Sequence, residues 1–419
     1  MESSAVRAEL RTWLAAELPA GWLDAIDTGD LDTVARLRSE LDYADWCRRL
    51  GRSGYATPTW PAEYGAGRSM SARDARVVHD ELTRTRVPRP FNVLGIGLAG
   101  PTILEWGTEE QKHRLLLPIA TNEEIWCQMF SEPGSGSDLA GLATRAVRDG
   151  DEWVLNGQKV WTTLAHVAKW AMVVTRTDPD VPKHRGLSYF LMDMHAPGVE
   201  VRPLVQMTGD AEFNEVFMAD VRVPDSMRLG PEGRGWDVAL TTLMNERVAL
   251  SGAGSIGGDA VGGSSVDRLI ARHAPVSDLI TRQRLAQAHI DSRVIKLTNA
   301  RAAATRRAGR AGPEGSITKL MQAEFNQRLQ KLAVDLEGLG GIAWEGPGLH
   351  VVDNELGTFR PTDRGDAAGI VRGFLRAQAN SIEGGTSNVM RNILGERVLG
   401  LPKEPDPFKG RAWKDVPHS

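Results

Sequence analysis

Residues 381–391 read SIEGGTSNVMR. One carboxylate, Glu383, precedes Gly384 and Gly385, and glycine backbone can approach a flat cofactor or a thioester closely. Abstraction of a proton beside a carbonyl needs a base, together with donors that stabilise the charge developing on oxygen. A second carboxylate, Glu246, lies mid-helix in TTLMNERVAL, flanked by Leu243, Val248 and Leu250. Burying it on that stripe is costly unless it is paired or functional; the plain alternative is a surface pair with Arg247. A Ser/Gly run, Phe130 to Asp138 (FSEPGSGSD), offers hydroxyls and unhindered N–H groups suited to a phosphate or a flavin edge. An ordinary turn would read the same way. NGQKVWTT comes next, with Trp161 and Thr163 at a strand end. Trp161 alone reads as core, but together the two segments describe a pocket for a flat redox cofactor.

Other motifs carry less. Gly252 to Gly257 matches G-x-G-x-x-G, yet it follows a helix and leads into further glycines, which is the wrong context for a dinucleotide fingerprint. Arg364-Gly365-Asp366 reads as a polar turn. The histidines show no metal-ligand spacing, so no metal is expected. Two cysteines, Cys47 and Cys127, make no disulfide framework. A net charge of −4 points to no nucleic-acid partner. The N-terminus lacks the pattern of a signal peptide, and no apolar run reaches the ~18 residues of a membrane span. A cytoplasmic, reducing compartment is the expectation.

The elements that must position these residues fall into three zones. Residues 1–125 read as helices: AVRAELRTWLAAEL, DTVARLRSELDYADWCRRLG, SARDARVVHDELTRT with a capping Ser, and GTEEQKHRLLLPIA with Thr108 as cap. Residues 126–232 read as short strands, with EWVLNGQKVWTT as two runs joined by an Asn156-Gly157 hairpin. Residues 233–400 return to long helical stripes of the bundle kind, with GAGSIGGDAVGGSS as a flexible link between the first two. Residues 401–419 form a polar surface tail. The fold class expected is α+β: a helical domain, a β-barrel or sandwich, then a four-helix bundle.

FSEPGSGSDLAGLAT followed by NGQKVWTT resembles the acyl-CoA dehydrogenase family of flavoenzymes. GYATPTWPAEYGAG, EWGTEEQKHRLLLPIA, FNEVFMADVRVP and GGTSNVMRNILGERVLGLP extend the resemblance over nearly the whole chain, in flavour nearest to actinobacterial members that act on bulky thioesters. It implies the same three domains, FAD, a homo-tetramer or dimer, and α,β-dehydrogenation of an acyl-CoA with electrons passed to an electron-transfer flavoprotein. It also implies roles residue by residue. Phe130, Ser131, Trp161 and Thr163 would line the flavin ring, and Ser137 would lie near the thioester arm or the cofactor phosphates. Thr386 and Asn388 would lie near the phosphates and adenosine. Arg282, Asp335, Gly338 and Leu339 would complete the FAD site of a neighbouring subunit, and Arg247 and Gly385 would face the substrate.

In many members the terminal motif is Tyr-Glu-Gly-Thr and its Glu is the base. Aligned on Gly385-Thr386, that slot here holds Gly384, whose N–H would still meet the thioester carbonyl, while Glu383 takes the Tyr position. Members of the isovaleryl and long-chain types carry the base in Leu-x-x-Glu-Arg, which Leu243 to Arg247 matches. The resemblance therefore implies Glu246 as base, with Glu383 second. Two rivals share the scaffold: a flavin oxidase or monooxygenase, and a partner-dependent subunit of an α2β2 heterotetramer.

Overall fold

A computed structural model describes residues 3–248, 263–276, 278–307, 314–342 and 367–417. The chain divides into two compact units. The first holds Met1–Cys127, Ala168–Met172 and Leu191–Met194; the second holds Gln128–Val167, Val173–Phe190 and His195–Ser419.

The first unit is helical: α1 (Ser3–Glu17), α2 (Trp22–Thr28), α3 (Leu31–Glu40), α4 (Tyr43–Arg52), α5 (Ala72–Arg84), α6 (Gly100–Trp106) and α7 (Glu109–Ala120). Apolar residues at helical spacing build its core, with Val6, Leu10 and Leu14 of α1 against Trp22, Trp46, Leu50, Val78 and Leu82. The indole N–H groups of Trp22 and Trp46 donate to the carbonyls of Thr85 and Pro88, each at 2.8 Å, so both rings are buried without an orphaned donor. The run DTVARLRSELDYADWCRRLG is two helices, not one. Leu41 turns extended, and the Asp42 side chain restarts the helix by accepting from the Asp45 N–H. Ser71 caps α5 by accepting from the Asp74 N–H. Thr108 and Gln111 close a reciprocal capping box on α7.

The strands are β1 (Trp126–Met129), β2 (Arg145–Asp149), β3 (Glu152–Thr163), β4 (Trp170–Arg176), β5 (Leu187–Asp193), β6 (Val199–Leu204) and β7 (Phe213–Pro224). In the second unit they run in the order β4-β2-β3-β7-β6, with β5 also paired to β4. The expected hairpin at Asn156-Gly157 is absent. β3 is one unbroken strand, and the hairpin is the β2–β3 pair, turning at Gly150 with φ 65°. Gly157 serves close approach instead: a Cβ there would lie 2.4 Å from Thr144 Oγ1 and 2.8 Å from its Cα. Strand β2 reads RAVRD, and its charges hid it from an apolar-alternation reading.

Two bulges shape the long β3–β7 pair. Between Lys159 and Thr162 strand β3 carries an extra residue, and opposite Leu155–Gly157 the extra residue falls on β7. Each bulge flips the face on which side chains are buried. In β3 the buried positions shift from Trp153, Leu155 and Lys159 to Thr162; in β7 they shift from Asn214, Val216 and Met218 to Val221 and Val223.

The C-terminal helices are α8 (Gly235–Val248), α9 (Gly263–His273), α10 (Leu279–Arg307), α11 (Glu314–Leu336), α12 (Ala367–Ala377) and α13 (Ser387–Arg397). Most of the expected Gly-rich link, and the Gly252–Gly257 motif within it, lie outside the described residues, as does Arg364-Gly365-Asp366. The end of the link is not a loop: α9 begins at Gly263 and sends Val266 and Leu269 into a core with Leu285, Ile295, Phe325, Leu329 and Leu332. Helices α9 to α12 share that core. The tail is anchored by Trp413, whose indole N–H donates to the Gly141 carbonyl at 3.1 Å beneath the Arg176 guanidinium. Among the described residues, no helix is long and apolar enough to cross a membrane.

Gly157→Ala is expected to destabilise the protein by about 1–3 kcal/mol, because the added methyl meets Thr144 backbone. A lowered urea midpoint with an unchanged slope checks this.

Candidate active site

The Ser/Gly segment after β1 is tied down before it reaches solvent. The Phe130 carbonyl accepts from Lys159 Nζ at 2.9 Å, and the Ser131 carbonyl accepts from the Val160 N–H at 2.9 Å. Glu132 and Ser135 exchange both backbone hydrogen bonds, closing a tight turn. The Glu132 carboxylate accepts from Lys159 Nζ at 2.8 Å, from the Ala143 N–H at 2.7 Å and from the Thr144 N–H at 3.0 Å. Burial pushes its pKa up, but Lys159 and these N–H groups outweigh burial and hold it below the usual carboxylate range. Ser131 is half-buried, and Ser137 is exposed beyond the turn.

Lys159 also fixes the residues that come after it on β3. The bulge two residues on puts Trp161 at φ 61°, a left-handed conformation that costs a non-glycine residue about 1–2 kcal/mol. Its ring is 61% exposed and touches Phe213 edge-on at 6.0 Å. A strained backbone that presents a large aromatic face outward makes Trp161 a candidate ligand wall. Beside it the Asn214 side chain donates to the Thr162 carbonyl at 3.0 Å and stands 3.2 Å from His166 Nδ1. Thr162 Oγ1, His166 Nε2 and Asn214 Oδ1 are buried with no protein partner. Burial lowers the His166 pKa, which favours the neutral ring. These atoms lie on the inner face of the sheet, opposite the exposed Trp161 ring. Thr163, half-buried, lies in the same stretch.

The same segment reaches α8. Phe130 meets Tyr189 edge-on at 5.8 Å, and the Tyr189 hydroxyl hydrogen-bonds Thr242 Oγ1 at 3.0 Å. One turn further along α8 stands Glu246, half-buried, whose Oε2 accepts from Gln128 Nε2 at 3.3 Å. The side chain of Arg247 lies outside the described residues. Lys319 on α11 feels both carboxylates: burial lowers its pKa, while Glu383 and then Glu246 push it back up.

The terminal motif sits between α12 and α13. Glu383 accepts from Arg376 Nη1 at 3.3 Å and Nη2 at 2.9 Å, and from Asn380 Nδ2 at 2.6 Å. Gly384 and Gly385 take φ 60° and 98°, and a Cβ on Gly385 would strike Met390. The Thr386 hydroxyl caps α13 by accepting from the Val389 N–H at 3.1 Å, and Asn388 is exposed in the first turn. Arg282, Asp335, Gly338 and Leu339 are all exposed, and among the described residues no hydrogen bond or ion pair joins Arg282 to the other three. Arg284 ties Asp335 to the start of α10, and Leu339 is 85% exposed just past α11.

Helices, then a sheet with an outward-facing aromatic bulge, then a bundle carrying a carboxylate on its first helix are the three-domain architecture of the acyl-CoA dehydrogenase class of enzymes. Family models agree. The acyl-CoA dehydrogenase N-terminal domain matches residues 2–123, the middle domain 127–221 and the C-terminal domain 233–399. The chain belongs to the acyl-CoA dehydrogenase family, and it is an oxidoreductase of that family. It is 37% identical to the acyl-CoA dehydrogenase IpdE1 of Mycobacterium tuberculosis, over 95% of this chain and 97% of that one. Among solved structures, the Tcur3481-Tcur3483 steroid ACAD is 29% identical at a TM-score of 0.73, over 96% of this chain and 98% of that one. The ChsE4-ChsE5 complex from Mycobacterium tuberculosis is 29% identical at a TM-score of 0.72, with the same coverage.

Lys159→Met is expected to cost about 3–5 kcal/mol in urea unfolding at neutral pH, because it strands a buried carboxylate. The Glu132 contribution is present above the unfolded carboxylate pKa of ~4.3 and fades as pH falls through the lower folded value. Between neutral and acid pH the wild type should therefore lose more stability than K159M, read from urea midpoints across that range.

Proposed function

We propose that this chain catalyses FAD-dependent α,β-dehydrogenation of a bulky, steroid-derived acyl-CoA, with Glu246 as the base. The observation that supports this is where the two carboxylates sit: Glu246 stands on α8 one turn from Thr242, whose hydroxyl bonds Tyr189 beside Phe130. Glu246 accepts from a neutral donor, Gln128, on the strand that leads into the Ser/Gly segment. Glu383 is committed to an arginine and an asparagine through three hydrogen bonds. A base must be free to swing onto the α-proton, and a carboxylate held by three hydrogen bonds is fixed in place.

FAD, when bound, supplies the acceptor for the β-hydride. Phe130, Ser131, Trp161 and Thr163 would hold its ring, and Thr386 and Asn388 would lie toward the phosphates. The exposed residues Arg282, Asp335, Gly338 and Leu339 would serve a neighbouring subunit. Glu246 takes the α-proton, and the Gly384 N–H donates to the thioester carbonyl and stabilises the enolate-like charge. Ser137, Gly385 and Arg247 line the path of the thioester arm. An electron-transfer flavoprotein removes the electrons.

A second reading concerns assembly. The two solved relatives carry paired names, Tcur3481-Tcur3483 and ChsE4-ChsE5, which favours a heteromeric pair over a homo-oligomer. Purification of this chain alone decides it: a yellow protein with full FAD occupancy supports the homo-oligomer, and a colourless one the pair.

Glu246→Gln should slow anaerobic bleaching of the flavin by about 10²–10⁴-fold and leave FAD binding intact. The assay runs against short, branched, long and steroid-derived acyl-CoAs, with the steroid-derived thioester expected to be fastest. Normal bleaching by E246Q would reject the base assignment.

A further inference from the structure

Glu383 has no assigned task once the base is placed on α8, yet it is heavily bonded. Its principal partner is unusual in reach. Arg376 holds Glu383 with both Nη atoms, and its Nε donates to Glu212 Oε1 at 3.1 Å. One guanidinium thus joins two carboxylates from distant segments, the terminal motif and the loop entering β7. One turn earlier on α12, Arg372 pairs with Asp210 of the same loop. The Arg376 guanidinium also lies 5.6 Å from the centre of the Phe213 ring, the ring whose neighbour is Trp161.

Both ends of this chain of contacts need an external brace. Gly384 and Gly385 have no side chains with which to anchor their turn. Its position must come from Glu383 on one side and the Thr386 cap on the other. Trp161 sits in a strained backbone conformation with its ring largely in solvent, and Phe213 gives it lateral support.

We propose that Glu383 and Arg376 are a positioning pair that couples the Gly384–Gly385 turn to Trp161 and so sets the distance between the oxyanion donor and the flavin wall. The pair acts through Phe213 and Glu212 and touches no reacting atom. This rests on the proposed dehydrogenase reading, and a forked arginine is required because a lysine ammonium cannot hold two carboxylates in plane and cover a ring at once.

The test uses the FAD-loaded protein and two shape-conserving variants, Glu383→Gln and Arg376→Lys. The substrate is the acyl-CoA that bleaches the wild type fastest. Each variant is expected to lower the saturating bleaching rate by about 10–100-fold, as misplaced catalytic groups do, with little change in the half-saturating concentration. Hydrogen exchange should quicken in both 156–166 and 380–388, and the double variant should be no slower than the worse single one. Wild-type behaviour of both variants overturns the proposal, as does faster exchange confined to 380–388. If E383Q abolishes bleaching while E246Q retains it, Glu383 is the base, and both this proposal and the base assignment fall. If E246Q bleaches normally while E383Q shows only the partial loss and the paired exchange change, the positioning role stands and the Glu246 assignment alone falls.

Discussion

The Lys159–Glu132 pair is the contact on which the site depends. Lys159 is fully buried, and a lone ammonium there would carry a desolvation cost of several kcal/mol. The cost is offset because the groups it bonds also need a partner: the Glu132 carboxylate and the Phe130 carbonyl. Glu132 in turn satisfies two backbone N–H groups at Ala143 and Thr144. A single ion pair therefore fixes the start of the Ser/Gly segment, its return, and the strand that carries Trp161. Replacing one partner would leave a charge with no water to solvate it, which is why the pair behaves as one unit.

That anchoring makes the β3 bulge tolerable. A tryptophan at positive φ would relax if the strand on either side could slide, but Lys159 is locked before it and Thr162 is held by Asn214 after it. The extra residue reverses the face of the strand, so Thr162 goes inside and the indole goes outside. Phe130, Tyr189 and Thr242 carry the same rigidity across to α8, where Glu246 stands one turn from Thr242. The carboxylate on α8 and the aromatic wall are thus positioned by one continuous set of packed and bonded side chains.

The zones of the fold were legible because helical stripes and strand alternation are local. Capping at Ser71 and Thr108 could be read from residue type alone. The errors were also physical. Asn-Gly is a strong turn signal, but at Gly157 the missing Cβ answers to Thr144 on the neighbouring strand, a contact that local sequence does not contain. Strand β2 was hidden by its charges, and α9 lay behind a Gly/Ser run that looked like a link.

Sequence by itself determined the order of helices, sheet and bundle, the Ser/Gly and Trp segments, and the paired glycines at 384 and 385. These follow from residue type and short-range spacing, which the chain carries wherever it goes. Tertiary structure decided which carboxylate is locked into a forked arginine pair and which stands beside the strand leading into the Ser/Gly segment. Glu383 and Glu246 are the same residue type as letters. Only folding brings Arg376 and Asn380 onto one and Gln128 onto the other. A carboxylate's character is set by the groups within about 3–4 Å of it, and those come from distant parts of the chain.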